Sequence, residues 1–161
     1  MNGKTHIALG VAAAVALGYD PLTAPLVSTA VLVAGTLLPD LDHRNGASAL
    51  RRPLPRPLQW LARLPAAVFT HRGPLHSLLI LPPLLLVTER AFDFAPYGRM
   101  AALGCVAHIL ADALTITGVP LFWPVVRKRL GLPLVRTGGR LERAIIPALI
   151  GLAIWKLDAG S

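Results

Sequence analysis

Five apolar segments separated by polar connections constrain this chain more than any other feature of its sequence. They cover about residues 5–18, 22–38, 75–87, 100–117 and 143–157 of the 161 residues. The alternating pattern of a membrane barrel is absent, and Leu and Ala, which favour helices, dominate. The first and third segments are short, because a spanning helix normally needs about 20 residues. The sequence therefore predicts an all-α, polytopic membrane helix bundle of about five helices, forming a single domain over residues 1–161.

Composition excludes two other classes of protein. The mean hydropathy is +0.60, and only 15% of residues are charged, against roughly 25% in soluble domains. Disordered chains have low hydrophobicity and high charge, so this composition also excludes a disordered chain. The net charge of +8 suggests a nucleic-acid binder at first. However, the basic residues are confined to two stretches between apolar runs, so we expect no nucleic-acid partner. Cys105 is the single cysteine, which excludes a disulfide within the chain and a cysteine-based zinc knot.

The distribution of basic residues predicts the orientation of the bundle. Six lie between residues 39 and 73, six between 118 and 143, and Lys4 precedes the first segment, which accounts for 13 of the 16. Because Lys and Arg concentrate in cytoplasmic loops, we expect the N-terminus and the Arg- and Pro-rich loops at about 39–73 and 118–141 to be cytoplasmic. The protein is thus predicted to be a multi-pass protein of the inner membrane.

The first Arg-rich loop has two interpretations. Its Arg side chains would attract anionic lipid headgroups, at about 1 kcal/mol for each residue near the surface. Alternatively, the loop is solvated and serves only to orient the protein. Both interpretations stay open on sequence alone. A membrane lipid is the expected partner, with an anionic phospholipid as a candidate substrate, and no oligomeric state is predicted.

Histidine and aspartate residues form four clusters on the side predicted to be cytoplasmic. One cluster begins the first apolar segment, one follows the second, one precedes the third, and one lies within the fourth. The eight residues are His6, Asp40, Asp42, His43, His71, His76, His108 and Asp112. The last two are four residues apart and therefore share one helix face. Because the topology rests on Lys and Arg alone, this convergence is an independent indication of a site.

Imidazole and carboxylate groups together favour a transition-metal site. Eight candidates exceed the three or four protein ligands of one zinc, so we expect one or more ions, with some residues orienting the ligating imidazoles. Zn is the first choice for the divalent metal, with Mn or Fe as alternatives. Each residue also has an ordinary explanation: His6 as a helix-end residue, Asp40 as a turn residue, and His108 as a partner of Asp112. A metal site accounts for all four clusters at once.

Four motifs carry a resemblance to a known family. They are THIALG at 5–10, LLPDLDH at 37–43, HRGPLHS at 71–77 and AHILADALTITGVPLFWP at 107–124. Together they resemble the YdjM-type family of membrane-bound metal-dependent hydrolases. Leu75 departs from the pattern, in which Thr is expected, but it is not a ligand position. The resemblance implies a hydrolase without naming its substrate.

The order of these residues is also similar, more faintly, to the zinc-dependent phospholipase C and P1 nuclease superfamily. In that comparison the ligands would be His6, Asp40, His76, and His108 with Asp112. The later HxxxE motif of those enzymes is missing, since only Glu142 follows and no His lies near it. This departure argues against a complete three-zinc site.

The predicted function is a membrane-bound metal-dependent hydrolase that cleaves a phosphate ester, lipid esters included, at the cytoplasmic membrane surface. The predicted metal ligands are His6, Asp40, His76, His108 and Asp112. Asp42, His43 and His71 are predicted catalytic residues, as second-choice ligands or proton carriers. One alternative is a transporter of metal ions or protons, which would need such residues throughout the membrane depth. Another is a non-catalytic membrane regulator with a structural metal.

Overall fold

The computed structural model describes residues 1–42, 55–61, 72–90 and 95–159. Within these ranges the chain is helical, with isolated β-bridges and no strand. The α-helices are α1 (Gly3–Ala16), α2 (Leu26–Leu37), α3 (Arg56–Leu61), α4 (Leu81–Arg90), α5 (Ala95–Ala113) and α6 (Arg140–Ala159). Five of them have ten or more residues. The prediction of an all-α chain with about five helices is therefore confirmed.

The helices differ from the predicted apolar segments mainly at the third one. Residues 75–87 were predicted as one helical segment, but α4 begins only at Leu81, after two 3₁₀ turns at Pro74–His76 and Leu78–Ile80. Between the turns, the Ser77 hydroxyl accepts a hydrogen bond from the Leu79 N–H at 3.2 Å. Pro82 and Pro83 then occupy the first turn of α4, where a missing N–H costs nothing.

Helices α2 and α5 form the closest packing contact of the bundle. A Cβ atom added to Gly35 would overlap the backbone of Ala101, and one added to Gly104 would overlap the backbone of α2. Cys105 Sγ lies 3.2 Å from the Gly35 carbonyl oxygen, to which it donates. Small residues thus let two backbones approach closely, as in membrane helix pairs. Helix α1 packs against α2, α5 and α6, and α4 packs against α5.

The interior of the bundle is unusually polar and its surface unusually apolar. Among the residues that the structure describes, ten polar or charged ones are buried, and large side chains such as Leu26, Val125 and Trp155 are exposed. Among the described helices, however, none combines the length and the hydrophobicity that a membrane crossing requires. The multi-pass topology therefore stays a prediction.

The chain between α5 and α6 folds back on itself at the end of the bundle that carries the buried histidines. Val119 and Leu130 exchange two backbone hydrogen bonds, at 3.0 and 2.9 Å. Gly118 has a φ of 57°, and a Cβ there would lie 2.8 Å from the Leu130 carbonyl oxygen, so only glycine fits this turn. We call residues 118–136 the basic hairpin.

Candidate functional site

Four structural elements bring histidine and aspartate side chains to one buried point. His6 comes from the first turns of α1, and His108 and Asp112 come from α5. The other side chains come from two 3₁₀ turns, Pro39–Asp42 after α2 and Pro74–His76 before α4. The ligand atoms of His6, Asp40 and His108 all lie within 4.8 Å of one another, and so do those of His76, His108 and Asp112. We call these residues, with Asp42, the His/Asp cluster.

His108 belongs to both groups and lies at the centre of the cluster. Its Nδ1 lies 2.7 Å from the Thr36 carbonyl oxygen. Because a carbonyl can only accept, Nδ1 carries a proton, so in the neutral form of the ring Nε2 is the atom with the lone pair. That Nε2 lies 3.7 Å from Asp40 Oδ1, which is too far for a hydrogen bond. The ring stacks on His6 at 3.6 Å between centroids and meets the His76 ring edge-on at 5.2 Å.

Asp112 contacts four basic groups in and beside the cluster. Its Oδ1 lies 3.3 Å from His6 Nε2 and contacts the amino group of Met1. Its Oδ2 lies 3.0 Å from Arg72 Nη2 and 3.7 Å from His76 Nε2. A carboxylate that is 2% exposed is expensive to bury without cationic partners. The Arg72 guanidinium and the Met1 amino group are two such partners of Asp112.

Asp42 lies behind His76, on the side away from Asp112. Asp42 Oδ2 is 3.3 Å from His76 Nδ1, and both side chains are fully buried. A carboxylate beside one ring nitrogen fixes the orientation of the imidazole and presents the other nitrogen. The structure thus places Asp42 where it orients His76 Nε2 toward Asp112.

Arg72 joins the cluster although the sequence analysis did not single it out as a site residue. Besides its contact with Asp112, its Nη1 contacts Thr117 and donates to Thr115 Oγ1 at 3.1 Å and to the Gly118 carbonyl at 3.0 Å. Arg72 has a φ of 59°, which a non-glycine residue rarely adopts. The sequence feature that could have pointed to Arg72 is its position in the HRG motif, between His71 and Gly73. Thr36 was missed too, because its contact is made by the backbone.

Six of the eight predicted residues therefore come together: His6, Asp40, Asp42, His76, His108 and Asp112. The other two, His43 and His71, lie outside the described residues. The structure brings the six together without testing the ligand and catalytic roles assigned to them, which stay predictions.

The buried nitrogens fit a metal ion. Among the described residues, neither ring nitrogen of His6, nor His108 Nε2, has a hydrogen bond of normal geometry, and such orphaned buried groups are rare without a bound partner. Two donors bound at about 2.1 Å to one tetrahedral zinc lie about 3.4 Å apart. The separations of 3.7 Å for His108–Asp40, 3.7 Å for His76–Asp112 and 3.3 Å for His6–Asp112 are close to that value.

A second polar contact holds the N-terminal end of α1 in place. Glu142, at the start of α6, accepts hydrogen bonds from the Asn2 N–H at 2.6 Å, the Thr5 hydroxyl at 2.9 Å and the Gly138 N–H at 2.5 Å. Burial opposes ionisation of Glu142, but these hydrogen bonds outweigh it and hold its pKa below the usual value. Because His6 lies one residue beyond Thr5, this contact positions the first histidine of the cluster.

Access to the cluster is narrow in the described part of the chain. The three imidazoles are fully buried, whereas the Asp40 side chain is 22% exposed and that of Arg72 is 10% exposed. A cleft of about 270 Å³, lined mainly by apolar groups, flanks the His76 turn and is lined by Pro74, Ser77 and Trp123 among others. In the described part of the chain, Asp40 and Arg72 are therefore more exposed than the imidazoles beside them.

Comparisons with known proteins agree with the resemblance carried by the motifs. A family model described as YdjM inner membrane protein matches residues 1–159. The chain is 36% identical to Inner membrane protein YdjM of Escherichia coli (strain K12) and of Shigella flexneri, over 96% of this chain and 82% of each relative. It is 29% identical to Uncharacterized protein YvsG of Bacillus subtilis (strain 168), over 92% of this chain and 89% of that relative. No solved structure matches the chain.

These matches confirm the family suggested by the motifs and support a location in the inner membrane. They cover the whole His/Asp cluster, from His6 to Asp112. The chain belongs to the YdjM family of inner membrane proteins.

Proposed function

We propose that this protein is a metal-dependent hydrolase of the inner membrane that cleaves a phosphate ester at the cytoplasmic surface. The observation that carries the proposal is the separation of 3.7 Å between His108 Nε2 and Asp40 Oδ1, while His108 Nδ1 is bonded to the Thr36 carbonyl. When the His108 ring is neutral, these two atoms present lone pairs to each other, which repel unless a proton or a cation lies between them. At 3.7 Å the gap is too wide for a shared proton and suits a metal ion.

The residues that would hold the metal are His6, Asp40, His76, His108 and Asp112, with His108 common to both groups. Imidazole and carboxylate together suit Zn first, and Mn or Fe as well. When bound, such an ion polarises a phosphoryl oxygen and yields a nucleophile from water near neutral pH.

The protein supplies orientation to this chemistry. The Thr36 carbonyl fixes the ring of His108, and Asp42 fixes the ring of His76. Arg72 holds Asp112 Oδ2 and ties it to the chain at Thr115 and Gly118. Because these contacts occupy the guanidinium, we assign Arg72 a positioning role rather than substrate binding.

The membrane location of the site is part of the proposal. The exposed apolar side chains suit a lipid environment. The 13 of 16 basic residues near the N-terminus and the two loops favour a cytoplasmic position for the His/Asp cluster. A substrate with a phosphate headgroup, such as a phospholipid, would reach a site at this depth directly.

Metal content and turnover of the detergent-purified protein test the proposal together. We expect a divalent metal in the wild type, less metal in His108→Ala and Asp112→Ala, and loss of phosphate-ester hydrolysis in both. Glu89→Gln is the matched control, because Glu89 is an exposed carboxylate on α4 whose side chain is 41% exposed. The hydrolase proposal would be contradicted if fully metal-loaded wild type hydrolysed none of the phosphomonoesters, phosphodiesters and phospholipids tested.

The complete burial of the three imidazoles favours one other function, a non-catalytic membrane protein with a structural metal. A structural metal contributes folding free energy, whereas a catalytic one keeps an open position. Chelation separates the two. If the metal is catalytic, the protein should stay monodisperse and helical after a chelator removes the metal. If the metal is structural, the protein should unfold or aggregate.

A further inference from the structure

We infer that the basic hairpin, residues 118–136, is a docking surface for anionic phospholipid headgroups, independent of any activity of the His/Asp cluster. The hairpin presents exposed apolar and basic side chains together. Val125 is 80% exposed, Leu132 61% and Leu134 62%. Arg127, Lys128 and Arg129 are exposed between them.

Charge identifies the partner. Residues 118–139 contain four basic residues and no Asp or Glu, so nothing within this stretch neutralises the cations. The exposed apolar residues on the opposite connection, Leu17 and Leu22, instead surround Asp20 and have no basic neighbour between residues 17 and 25. Apolar side chains that enter the lipid boundary, flanked by Lys and Arg, are the pattern of a segment bound at an anionic membrane surface.

The hairpin is held rigidly enough to act as a surface. Its returning segment is tied to the end of α5, where the Leu132 N–H donates to the Ala113 carbonyl at 2.7 Å and the Leu134 N–H donates to the Leu114 carbonyl at 3.1 Å. Its first turn is bound by Arg72, which donates to the Gly118 carbonyl at 3.0 Å. The backbone is therefore ordered before binding, and docking loses little conformational entropy.

Docking would also fix the depth of the His/Asp cluster. Asp112 lies three residues before Thr115, whose hydroxyl donates to the Asp112 carbonyl at 2.7 Å. The hairpin begins three residues after Thr115, so a headgroup contact at Arg127–Arg129 constrains how far the cluster can lie from the lipid surface. Trp123 and Pro124, which belong to the basic hairpin, line the cleft beside the His76 turn. The hairpin therefore forms one wall of that cleft.

A fluorescent label at two matched positions tests the inference. Val125→Cys and Leu22→Cys replace apolar residues of similar exposure, 80% and 82%, and each is labelled with the polarity-sensitive dye NBD in full-length protein. Wild type labelled in parallel checks that buried Cys105 does not react. The proteins are reconstituted in vesicles of phosphatidylcholine alone or with phosphatidylglycerol, and emission and quenching by aqueous iodide are measured.

We expect the label at position 125 to shift to the blue and lose iodide quenching only with phosphatidylglycerol, and the shift to reverse at high salt. The label at position 22 should not respond. Replacing Arg127, Lys128 and Arg129 by Gln should abolish the response, since three cations correspond to an affinity change on the order of a hundredfold. An equal response in both lipids, an equal response at position 22, or a water-exposed label at position 125 throughout would overturn the inference.

Discussion

Replacing Gly104 by Ala should weaken both the fold and the metal site, because Gly104 and His108 face the same residue of α2. A Cβ at position 104 would lie 2.5 Å from the Thr36 backbone N, whereas ordinary contact begins at 3.4 Å. Helices α2 and α5 must therefore separate by about 0.9 Å. The same displacement lengthens the 2.7 Å contact between His108 Nδ1 and the Thr36 carbonyl oxygen to about 3.6 Å, beyond hydrogen-bonding distance.

The expected magnitudes follow from these two effects. Overpacking costs about 1–3 kcal/mol, while Ala in place of Gly returns about 1 kcal/mol through helix propensity. Gly151→Ala on α6 is the matched control, because nothing lies within 4 Å of its added Cβ. The free energies of unfolding of the two variants should differ by about 1–3 kcal/mol, since helix propensity cancels. Loss of the contact that orients His108 should weaken metal binding about 10- to 100-fold.

Denaturant titration in detergent, followed by far-UV circular dichroism, measures the stability of both variants. Competition with a chelator measures their metal affinity. If Gly104→Ala unfolds with the same free energy as Gly151→Ala and binds metal as tightly, the close approach of α2 and α5 does not set the geometry of the site.

Three further predictions follow from the same structure and sequence. In intact cells, a membrane-impermeant thiol reagent should label Asp93→Cys from outside and not Arg52→Cys; the reverse pattern would overturn the predicted topology. Asp42→Asn should lower metal affinity about 10- to 100-fold with little loss of helicity, since Asp42 lies beside His76 Nδ1 and would orient that ring, and normal affinity would remove it from that role. Because the folded-state pKa of Glu142 is depressed, its stabilising effect is complete above the unfolded pKa and is lost as the pH falls through the folded value. Glu142→Gln should therefore flatten the acid limb of the stability profile, and an unchanged limb would contradict this.

Apolar segments and composition were enough to predict the helical class and most of the helices, because apolar runs rich in Leu and Ala report on local structure. The helix at 75–87 was predicted too long. Its hydrophobicity continues through residues 75–80, but Pro74 and the Ser77 side chain favour 3₁₀ turns there. Hydrophobicity alone does not distinguish a 3₁₀ turn from an α-helix.

The sequence by itself determined which residue types could form a site and on which side of the predicted topology they would lie. Residues such as His6 and His108 are separated by most of the chain, and only tertiary packing decides whether they meet. Packing decided three things: that His6 stacks on His108, that the Thr36 carbonyl fixes the tautomer of His108, and that Arg72 binds Asp112. The physical reason is that backbone carbonyls and side-chain directions carry no sequence signal. Such groups bind a ligand, or hold a ligating side chain in place, only when small residues such as Gly35 and Gly104 allow two helices to approach closely.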